Sequence, residues 1–258
     1  MGLLENQVCV ITGGGSGVGR ASSVLFAEEG ARVVVADVQD NWAADTVAQI
    51  AEAGGTASAV HCDVSDEAQV EAAIAAAVAE HGRLDVMFNN AGVSTPEPGL
   101  KFVDHTADHW ARLIGINLMG QVWGCKHAVL QFQRQGGGGV IVNTSSVAGM
   151  VGFGGVPYGV SKSGGIQLTK ALAVEVAADD IRVNAFAPAT MLSNFGRSED
   201  EAFTPHTDEQ YKLWGSLVPT GRPTMPEDCA RAALFLASSW AGNITGAILP
   251  VDGGYIAR

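Results

Sequence analysis

Tyr158 and Lys162 are the two residues whose types and spacing most directly suggest chemistry. They stand four positions apart in the stretch PYGVSK, and residues at that spacing share one face of a helix. A neighbouring ammonium favours the phenolate form of tyrosine. A fall of about 3 in the phenol pKa corresponds to about 4 kcal/mol, which one charge at ~4 Å supplies at an effective dielectric of ~20. The pair is predicted to act as a general base towards an alcohol, or as a general acid towards a ketone.

The elements that must position this pair are predicted from alternating short β-branched runs and longer helical stretches. The runs are apolar throughout, which is typical of parallel strands covered on both faces. Repeated strand–helix units predict an α/β fold, with residues 1–258 forming a single Rossmann-type, doubly wound domain around a seven-stranded parallel sheet, with helices on both faces. The predicted strands are 8–12, 32–37, 57–63, 84–92, 139–146, 181–188 and 246–254.

Helices are expected within 105–135 and from about 157 to 178. The irregular segment at about 189–225 is predicted to form a lid or substrate loop, because long connections inside compact domains usually have a binding role. Thr224 and Glu227 have the spacing of a capping box at the start of the last helix, and Pro226 suits its first turn.

The glycine-rich stretch TGGGSGVGR at 12–20 joins the first strand to the first helix. Gly13, Gly17 and Gly19 would let the backbone approach a pyrophosphate at the helix N-terminus. Asp37 ends the second strand, where a carboxylate accepts hydrogen bonds from ribose hydroxyls and repels a 2′-phosphate. No basic residue flanks Asp37 in the sequence, and Ser16 stands where one could have met that phosphate. The cofactor is therefore predicted to be NAD rather than NADP.

Further polar residues end the later strands, and ligands of open α/β sheets bind at these ends. Asp63 and Val64 are candidates for the adenine edge, and the stretch Asn90-Ala91-Gly92 leaves room for the cofactor while Asn90 ties strand ends together. Ser145 and Ser146 end the fifth strand, where a hydroxyl can hold a substrate oxygen. Asn117, in the stretch INLMG, is expected at a helical break that relays protons.

Together these motifs resemble those of the short-chain dehydrogenase/reductase family in its NAD-preferring form of about 250 residues, and the resemblance covers essentially the whole chain. It implies a tetrad of Asn117, Ser146, Tyr158 and Lys162, with Lys162 also holding the nicotinamide ribose. It also implies a homotetramer. The cofactor-binding residues predicted on this basis are Gly13, Ser16, Gly17, Val18, Gly19, Asp37, Asp63, Val64, Asn90, Ala91, Gly92, Tyr158, Lys162, Pro188, Met191 and Ser193.

Two features depart from the family pattern. Counting back from Tyr158 favours Ser145 as the catalytic serine, whereas the Val-Ala-Gly that follows favours Ser146, which we predict. The usual Pro-Gly after the sixth strand is Pro188-Ala189, and alanine has less backbone freedom than glycine. Ser193 retains a hydroxyl for the nicotinamide carboxamide.

The composition of the chain limits the classes of partner that it is expected to bind. The formal net charge is −12, with 15 Lys and Arg against 27 Asp and Glu, so a nucleic-acid partner or an anionic membrane surface is disfavoured. The N-terminus does not resemble a signal peptide, and a cytoplasmic location is expected. His105 and His109 have the spacing of a metal half-site, but no third ligand is evident, and we predict no metal.

Candidate substrate-lining residues are Ser94 and Pro96, Met150 and Val151, and the apolar residues of 189–225. The last group could equally pack against its own domain. If part of it faces the cavity, an apolar cyclic, aromatic or steroid-like secondary alcohol fits best. A 3-oxoacyl thioester reductase and a non-catalytic NAD-binding protein remain the alternatives. The residues meant in 189–225 are Met191, Leu192, Phe195, Phe203, Tyr211, Leu213 and Trp214.

Overall fold

The computed structural model of the chain describes residues 2–95, 99–191 and 207–258. Within these ranges seven parallel strands form one sheet in the order β3-β2-β1-β4-β5-β6-β7. The strands are β1 (Val8–Thr12), β2 (Arg32–Asp37), β3 (Thr56–His61), β4 (Val86–Asn89), β5 (Gly139–Thr144), β6 (Ile181–Pro188) and β7 (Ile248–Val251). The α-helices are α1 (Gly17–Glu28), α2 (Asp40–Glu52), α3 (Glu67–His81), α4 (Ala107–Ile114), α5 (Gly120–Gln135), α6 (Val156–Glu175), α7 (Asp208–Gly215) and α8 (Pro226–Ala237). The predicted fold class is confirmed.

The core lies on both faces of the sheet, because successive side chains of a strand point to opposite sides. One cluster joins the sheet to α3, α5 and α6, and includes Ile74 and Phe132. The other joins it to α1, α2 and α8. In this second cluster Phe88 lies between Phe26 and Phe186, with ring centroids 6.2 Å and 5.9 Å away. Burial of this kind fixes where each strand ends, and so where the polar motifs lie.

Several strand boundaries differ from those predicted. Strand β4 ends at Asn89 rather than 92, because the next two backbone N–H groups donate to the Thr12 hydroxyl instead of to a neighbouring strand. Strands β5 and β7 are also shorter than predicted. Strand β3 is the edge of the sheet and is exposed along much of its length, so the expectation that every strand is covered on both faces is wrong there.

The start of α8 differs in its cap. The Asp228 carboxylate accepts a hydrogen bond from the Met225 N–H at 3.0 Å, so the reciprocal pair is one residue beyond the predicted Thr224 and Glu227. The Thr224 hydroxyl instead donates to the Val251 carbonyl at 3.0 Å. Pro226 occupies the first turn, as predicted.

The strand order places β1 and β4 side by side, with β2 and β3 on one flank and β5 to β7 on the other. This is the switch point at which chain connections leave to opposite sides of the sheet, and a crevice forms there. Among the described residues, no helix combines the length and apolar character needed to cross a membrane.

Candidate active site

The glycine-rich turn has the shape of a phosphate cradle. Gly13 and Gly17 adopt positive φ angles of 63° and 50°, which side-chain-bearing residues rarely adopt. A Cβ at Gly13 would lie 2.9 Å from the Ala91 Cα, and one at Gly19 would overlap the Gly13 carbonyl. Ser16 precedes α1, but its side chain does not cap the helix. The first N–H groups of α1 are therefore suited to an anion. Val18 packs against the core below.

Asp37 lies at the end of β2, beside this turn. Its two oxygens accept hydrogen bonds from the N–H groups of Gly15, at 2.8 Å, and Gln39, at 2.9 Å. Burial raises the pKa of the Asp37 carboxyl, while these N–H groups and the charge of Arg20 oppose the rise. Each oxygen keeps further acceptor capacity, which suits the hydroxyls of a ribose.

Arg20 is a residue whose place the sequence analysis missed. No basic residue flanks Asp37 in the sequence, but the fold brings Arg20 to the same loop. Its Nε donates to the Gly15 carbonyl at 2.8 Å and to the Thr46 hydroxyl at 3.1 Å. The one available signal was its position directly after the glycine motif.

The strand ends on either side of β4 are joined by Asn90, as predicted. Its Nδ2 donates to the Thr12 carbonyl at 3.0 Å, and its Oδ1 accepts from the Thr144 hydroxyl at 3.2 Å. The Ala91 N–H donates to the Thr12 hydroxyl at 3.1 Å. A Cβ at Gly92 would lie 3.2 Å from the Asn117 Oδ1 and 3.3 Å from the Lys162 Nζ. The glycine thus leaves space where the two halves of the site meet.

Asp63 and Val64 follow β3. The Asp63 carboxylate accepts from the Ser65 N–H and hydroxyl, at 2.9 Å and 2.7 Å. Val64 is buried and leaves no room for a side chain at Gly120, where a Cβ would lie 2.8 Å from one of its methyl groups. These contacts fix the turn after β3, whose residues Asp63 and Val64 are the predicted neighbours of the adenine edge.

Tyr158, Ser146 and Lys162 are brought together at the carboxyl ends of β5 and the start of α6. The side chains of Ser146 and Tyr158 are hydrogen-bonded to each other. The Lys162 Nζ lies 5.8 Å from the centroid of the Tyr158 ring and donates to the main-chain oxygen of Thr144 at 3.0 Å. Lys162 is 2% exposed. A phenol, a hydroxyl and an ammonium therefore share one crevice.

The two adjacent serines have different surroundings. Ser145 turns away from the crevice and donates to the main-chain oxygen of Lys162 at 3.2 Å. Ser146 faces Tyr158, accepts from the Ala148 N–H at 3.1 Å, and donates to the Pro188 carbonyl at 3.3 Å. The geometry favours Ser146 as the serine beside the phenol.

The expected pKa of Tyr158 is wrong for the polypeptide by itself. Burial raises the pKa of Tyr158 to about 12, against a lowering by the Ser146 hydrogen bond. Burial also lowers the pKa of Lys162 to about 8. The sequence argument counted the attraction between the two charges and left out the cost of removing each from water.

Asn117 lies at the predicted break in the helix. Residues Gly115–Met119 form a π-helical turn between α4 and α5, and such turns are frequent at functional sites. The Asn117 side chain exchanges two hydrogen bonds with the backbone of Val93, at 2.7 Å and 2.9 Å, and its Nδ2 also donates to the Ser161 hydroxyl at 3.2 Å. These contacts fix the segment after β4 against the start of α5.

The substrate side of the crevice is described in part. Ser94 is half-buried, while Met150 and Val151 are 41% and 42% exposed. The ring of Phe153 packs against that of Tyr255, with centroids 5.4 Å apart. Pro96, Ser193, Leu192, Phe195 and Phe203 lie outside the described residues.

Of the 189–225 segment, the structure describes 189–191 and 207–225. Met191 forms an isolated β-bridge with Thr224 and packs against the core. Pro188 accepts the Ser146 bond noted above, and the Ala189 N–H donates to the Val251 carbonyl at 3.4 Å. On α7, Tyr211 and Leu213 are exposed and Trp214 is half-buried.

His105 and His109 pack ring against ring, with centroids 5.8 Å apart. The His109 Nδ1 accepts from the Thr106 N–H, and the Thr106 hydroxyl accepts from the His109 N–H, so that His109 caps α4. Its ring is thereby used in the start of a helix.

Comparisons with known proteins agree with this arrangement. Residues 13–256 match a family model, adh_short_C2, described as enoyl-(acyl carrier protein) reductase. The chain is 37% identical to (+)-borneol dehydrogenase 1 of Salvia officinalis, over 98% of this chain and 94% of that protein. It is 41% identical to cis-4-hydroxycyclohexanecarboxylate dehydrogenase of Sinomonas cyclohexanicum, over 97% of each.

A solved structure of a short-chain type dehydrogenase/reductase from Mycobacterium marinum superposes with a TM-score of 0.89, at 29% identity, over 99% of this chain and 97% of that one. These relatives match the chain over nearly its full length. The match therefore includes the glycine-rich turn and the crevice that holds Ser146, Tyr158 and Lys162. The chain belongs to the short-chain dehydrogenase/reductase family.

Proposed function

We propose that the protein is a NAD-dependent dehydrogenase that interconverts a hydrophobic, cyclic secondary alcohol and its ketone. The observation that carries the proposal is the grouping of the Ser146 hydroxyl, the Tyr158 phenol and the buried Lys162 ammonium at one end of the sheet. A hydroxyl, a titratable phenol and a fixed positive charge are the groups needed to hold an alcohol oxygen and move its proton.

The residues divide the reaction between them. The Ser146 hydroxyl holds the substrate oxygen beside Tyr158, and the Tyr158 oxygen accepts the alcohol proton in oxidation or donates a proton to the ketone oxygen in reduction. A nicotinamide cofactor held by the glycine-rich turn and Asp37 would supply the hydride acceptor for the alcohol carbon in oxidation, and the hydride donor for the ketone in reduction. Lys162 supplies positive charge below the phenol, and Asn117 holds the backbone of the 91–95 segment through Val93.

Proton transfer through Tyr158 has a direction that depends on pH. Because burial raises the Tyr158 pKa to about 12 in the chain alone, the neutral phenol is the dominant form near neutrality and is ready to donate to a ketone. Oxidation needs the phenolate, so its rate is expected to rise with pH. The positive charge of Lys162 and that of an oxidised nicotinamide both favour the phenolate.

The choice of NAD rests on Asp37. A carboxylate at the end of β2 can accept from two ribose hydroxyls and repels a 2′-phosphate. The Asp37 carboxylate is held in place by a hydrogen bond that it accepts from the Gly15 N–H, at 2.8 Å. Arg20 lies beside the same loop, but its Nε is already bonded to Gly15 and Thr46.

The substrate class rests on the apolar rim and on the relatives. Met150 and Val151 come four and five residues after Ser146 and are partly exposed, and we propose that they contribute an apolar rim to the substrate site. Two of the matched relatives are named for borneol and for a hydroxycyclohexanecarboxylate, which are both cyclic secondary alcohols. These points support a ring-shaped, largely apolar alcohol.

A second candidate is the reduction of an acyl thioester, favoured by the description of the matching family model. It is weakened by Asp37, which disfavours NADPH, and by the formal net charge of −12, which disfavours an acidic carrier protein. A non-catalytic NAD-binding role would leave the Ser146, Tyr158 and Lys162 grouping without a use.

The test is NADH formation by wild type and Tyr158→Phe across a panel of cyclic and acyclic secondary alcohols, with NAD and NADP in parallel. The proposal predicts turnover with NAD on a cyclic alcohol and a loss of at least about 10²-fold in the variant. Turnover only with NADPH on acyl thioesters would move the assignment to the second candidate. NAD binding without turnover on any substrate would contradict both.

A further inference from the structure

The loop whose Gly15 N–H donates to Asp37 consists of Gly13, Gly14 and Gly15, so it has no side chains with which to hold its own conformation. A Cβ at Gly15 would lie 2.8 Å from the Trp42 Cβ and 2.9 Å from the Asp37 Oδ2, so glycine alone fits. A run of three glycines, from Gly13 to Gly15, has more backbone freedom to lose than any other sequence. Something outside the loop must therefore fix it.

The Gly14 N–H donates to the Ala36 carbonyl at 3.2 Å, and the Gly13 carbonyl accepts from the Asn90 side chain at 3.3 Å. Arg20 supplies the restraint at Gly15. The Gly15 residue is bonded on both sides, because its N–H donates to Asp37 at 2.8 Å and its carbonyl accepts from the Arg20 Nε at 2.8 Å. The same Nε also contacts the Thr46 hydroxyl at 3.1 Å, and an Arg20 terminal nitrogen lies 3.4 Å from the Trp42 carbonyl. Arg20 thus ties the loop to α2, and its charge is near enough to Asp37 to oppose the rise in the pKa of that carboxyl.

The other ionisable groups near Asp37 come from the elements on either side. Asp40 opens α2 and is paired with His61 of β3 at 2.8 Å. Cys62 and Asp63 follow β3. Burial, and to a smaller extent the charges of Asp63 and Asp37, raise the pKa of the Cys62 thiol. Among these neighbours, Arg20 is the permanent positive charge, since its guanidinium stays protonated at all working pH values.

We propose that Arg20 is a positioning residue of the cofactor site, which holds Gly15 in place for the Asp37 carboxylate and keeps a positive charge beside it. The proposal rests on the proposed function, since it assumes that Asp37 binds the ribose of NAD. Arg20 would then have two functions that substitutions can separate. Its guanidinium donates hydrogen bonds to the loop, and it carries a positive charge.

The test compares Arg20→Met, which removes both parts, with Arg20→Lys, which keeps the charge and loses the fork. Arg32→Met is the matched control, because Arg32 is exposed at the opposite end of the strand that carries Asp37. The dissociation constant of NAD is measured by calorimetry at about pH 8 and about pH 5.5. The lower pH is included because burial raises the pKa of the Asp37 carboxyl, so that loss of its charge is expected in acid. Thermal unfolding of each variant checks the fold.

Arg20→Met is expected to weaken NAD binding about tenfold at the higher pH, through the lost charge-assisted hydrogen bonds, and by a larger factor at the lower pH. Arg20→Lys is expected to show the first loss without the extra loss in acid. Arg32→Met is expected to match wild type. The KM for NAD follows the dissociation constants, while kcat changes little, because no reacting atom touches Arg20.

Two results would overturn the inference while leaving the proposed function intact. One is wild-type NAD affinity in Arg20→Met, and the other is an equal loss at both pH values in Arg20→Met and Arg20→Lys. If wild type does not bind NAD at all, the proposed function fails. The ¹³C NMR titration of the Asp37 carboxyl, which needs no cofactor, then decides the role of the charge, since equal titration curves in wild type and Arg20→Met would refute it.

Discussion

Replacing Lys162 by methionine is expected to stabilise the fold near neutral pH while it abolishes activity. Burial lowers the pKa of Lys162 from its ordinary value of 10.5 to about 8. At about 1.36 kcal/mol for each pH unit, keeping this ammonium buried costs about 3 kcal/mol. Methionine fills a similar volume without a charge.

The main-chain oxygen that Lys162 contacts keeps a partner in the variant. The buried Gln121 side chain donates to the same Thr144 oxygen at 2.8 Å, so that removal of the ammonium does not leave a buried carbonyl without a hydrogen bond. The usual penalty for deleting one partner of a buried pair is therefore small here. The desolvation cost of the charge decides the sign.

The same pKa shift makes the effect of Lys162 on stability depend on pH. Because the folded-state pKa of Lys162 lies below its unfolded value, the unfolded chain binds more protons between about pH 8 and 10.5. The contribution of Lys162 to the free energy of unfolding is unfavourable below about pH 8 and disappears as the pH rises through that window. The advantage of Lys162→Met should therefore be greatest near pH 7 and shrink towards about pH 10.

The measurement is urea unfolding of wild type and Lys162→Met from about pH 7 to about pH 10. Burial also raises the pKa values of the four thiols and of Tyr158, but they are present in both proteins, so the difference in unfolding free energy isolates Lys162. Lys170→Met, at an exposed position of the same helix, is the control and should give a small difference that does not depend on pH. A variant that is less stable than wild type near pH 7, or a gap that stays constant with pH, would refute the reasoning.

Four further substitutions test the site and its support. Ser146→Ala should lower kcat/KM by about 10²-fold, whereas Ser145→Ala should cost about 1 kcal/mol of stability with nearly normal turnover; equal kinetic effects would reverse the assignment of the two serines. Gly124→Ala should destabilise the fold by about 1–3 kcal/mol in urea unfolding, because its Cβ would overlap the buried Asn89 Oδ1; an unchanged midpoint would show that the overlap relaxes freely. Asp37→Ser should weaken NAD binding and raise NADP use in steady-state kinetics, and an unchanged cofactor preference would contradict its ribose-binding role.

The parts of the molecule that the sequence predicted well depend on local pattern. The continuous apolar runs place all seven strands. The carboxyl ends of those strands carry Asn90 and Ser146, and the first turn of α6 brings Tyr158 beside Ser146. Asn117 was expected at a helical break, and the π-helical turn is that break. In each case the spacing along the chain carries the information.

The parts that it missed depend on contacts between distant segments. Arg20 reaches Thr46 of another helix, and Gln121 reaches the end of β5; neither contact has a sequence pattern. In the chain without cofactor, burial raises the pKa of Tyr158 instead of lowering it, and burial is a property of the whole fold that spacing along the chain does not give. The edge position of β3 follows from strand order, which the pattern of apolar residues left open.

The oxygen that accepts the hydrogen bond from the Lys162 ammonium is the main-chain carbonyl oxygen of Thr144. Every residue type presents the same carbonyl at position 144, so mutational drift there cannot delete this contact while the strand keeps its register. Asp37 is different, because its carboxylate is lost in a single substitution. The contact at Lys162 is thus robust to sequence change in a way that the Asp37 carboxylate is not. If Asp37 selects the cofactor as proposed, cofactor preference should diverge among relatives before the geometry around Lys162 does.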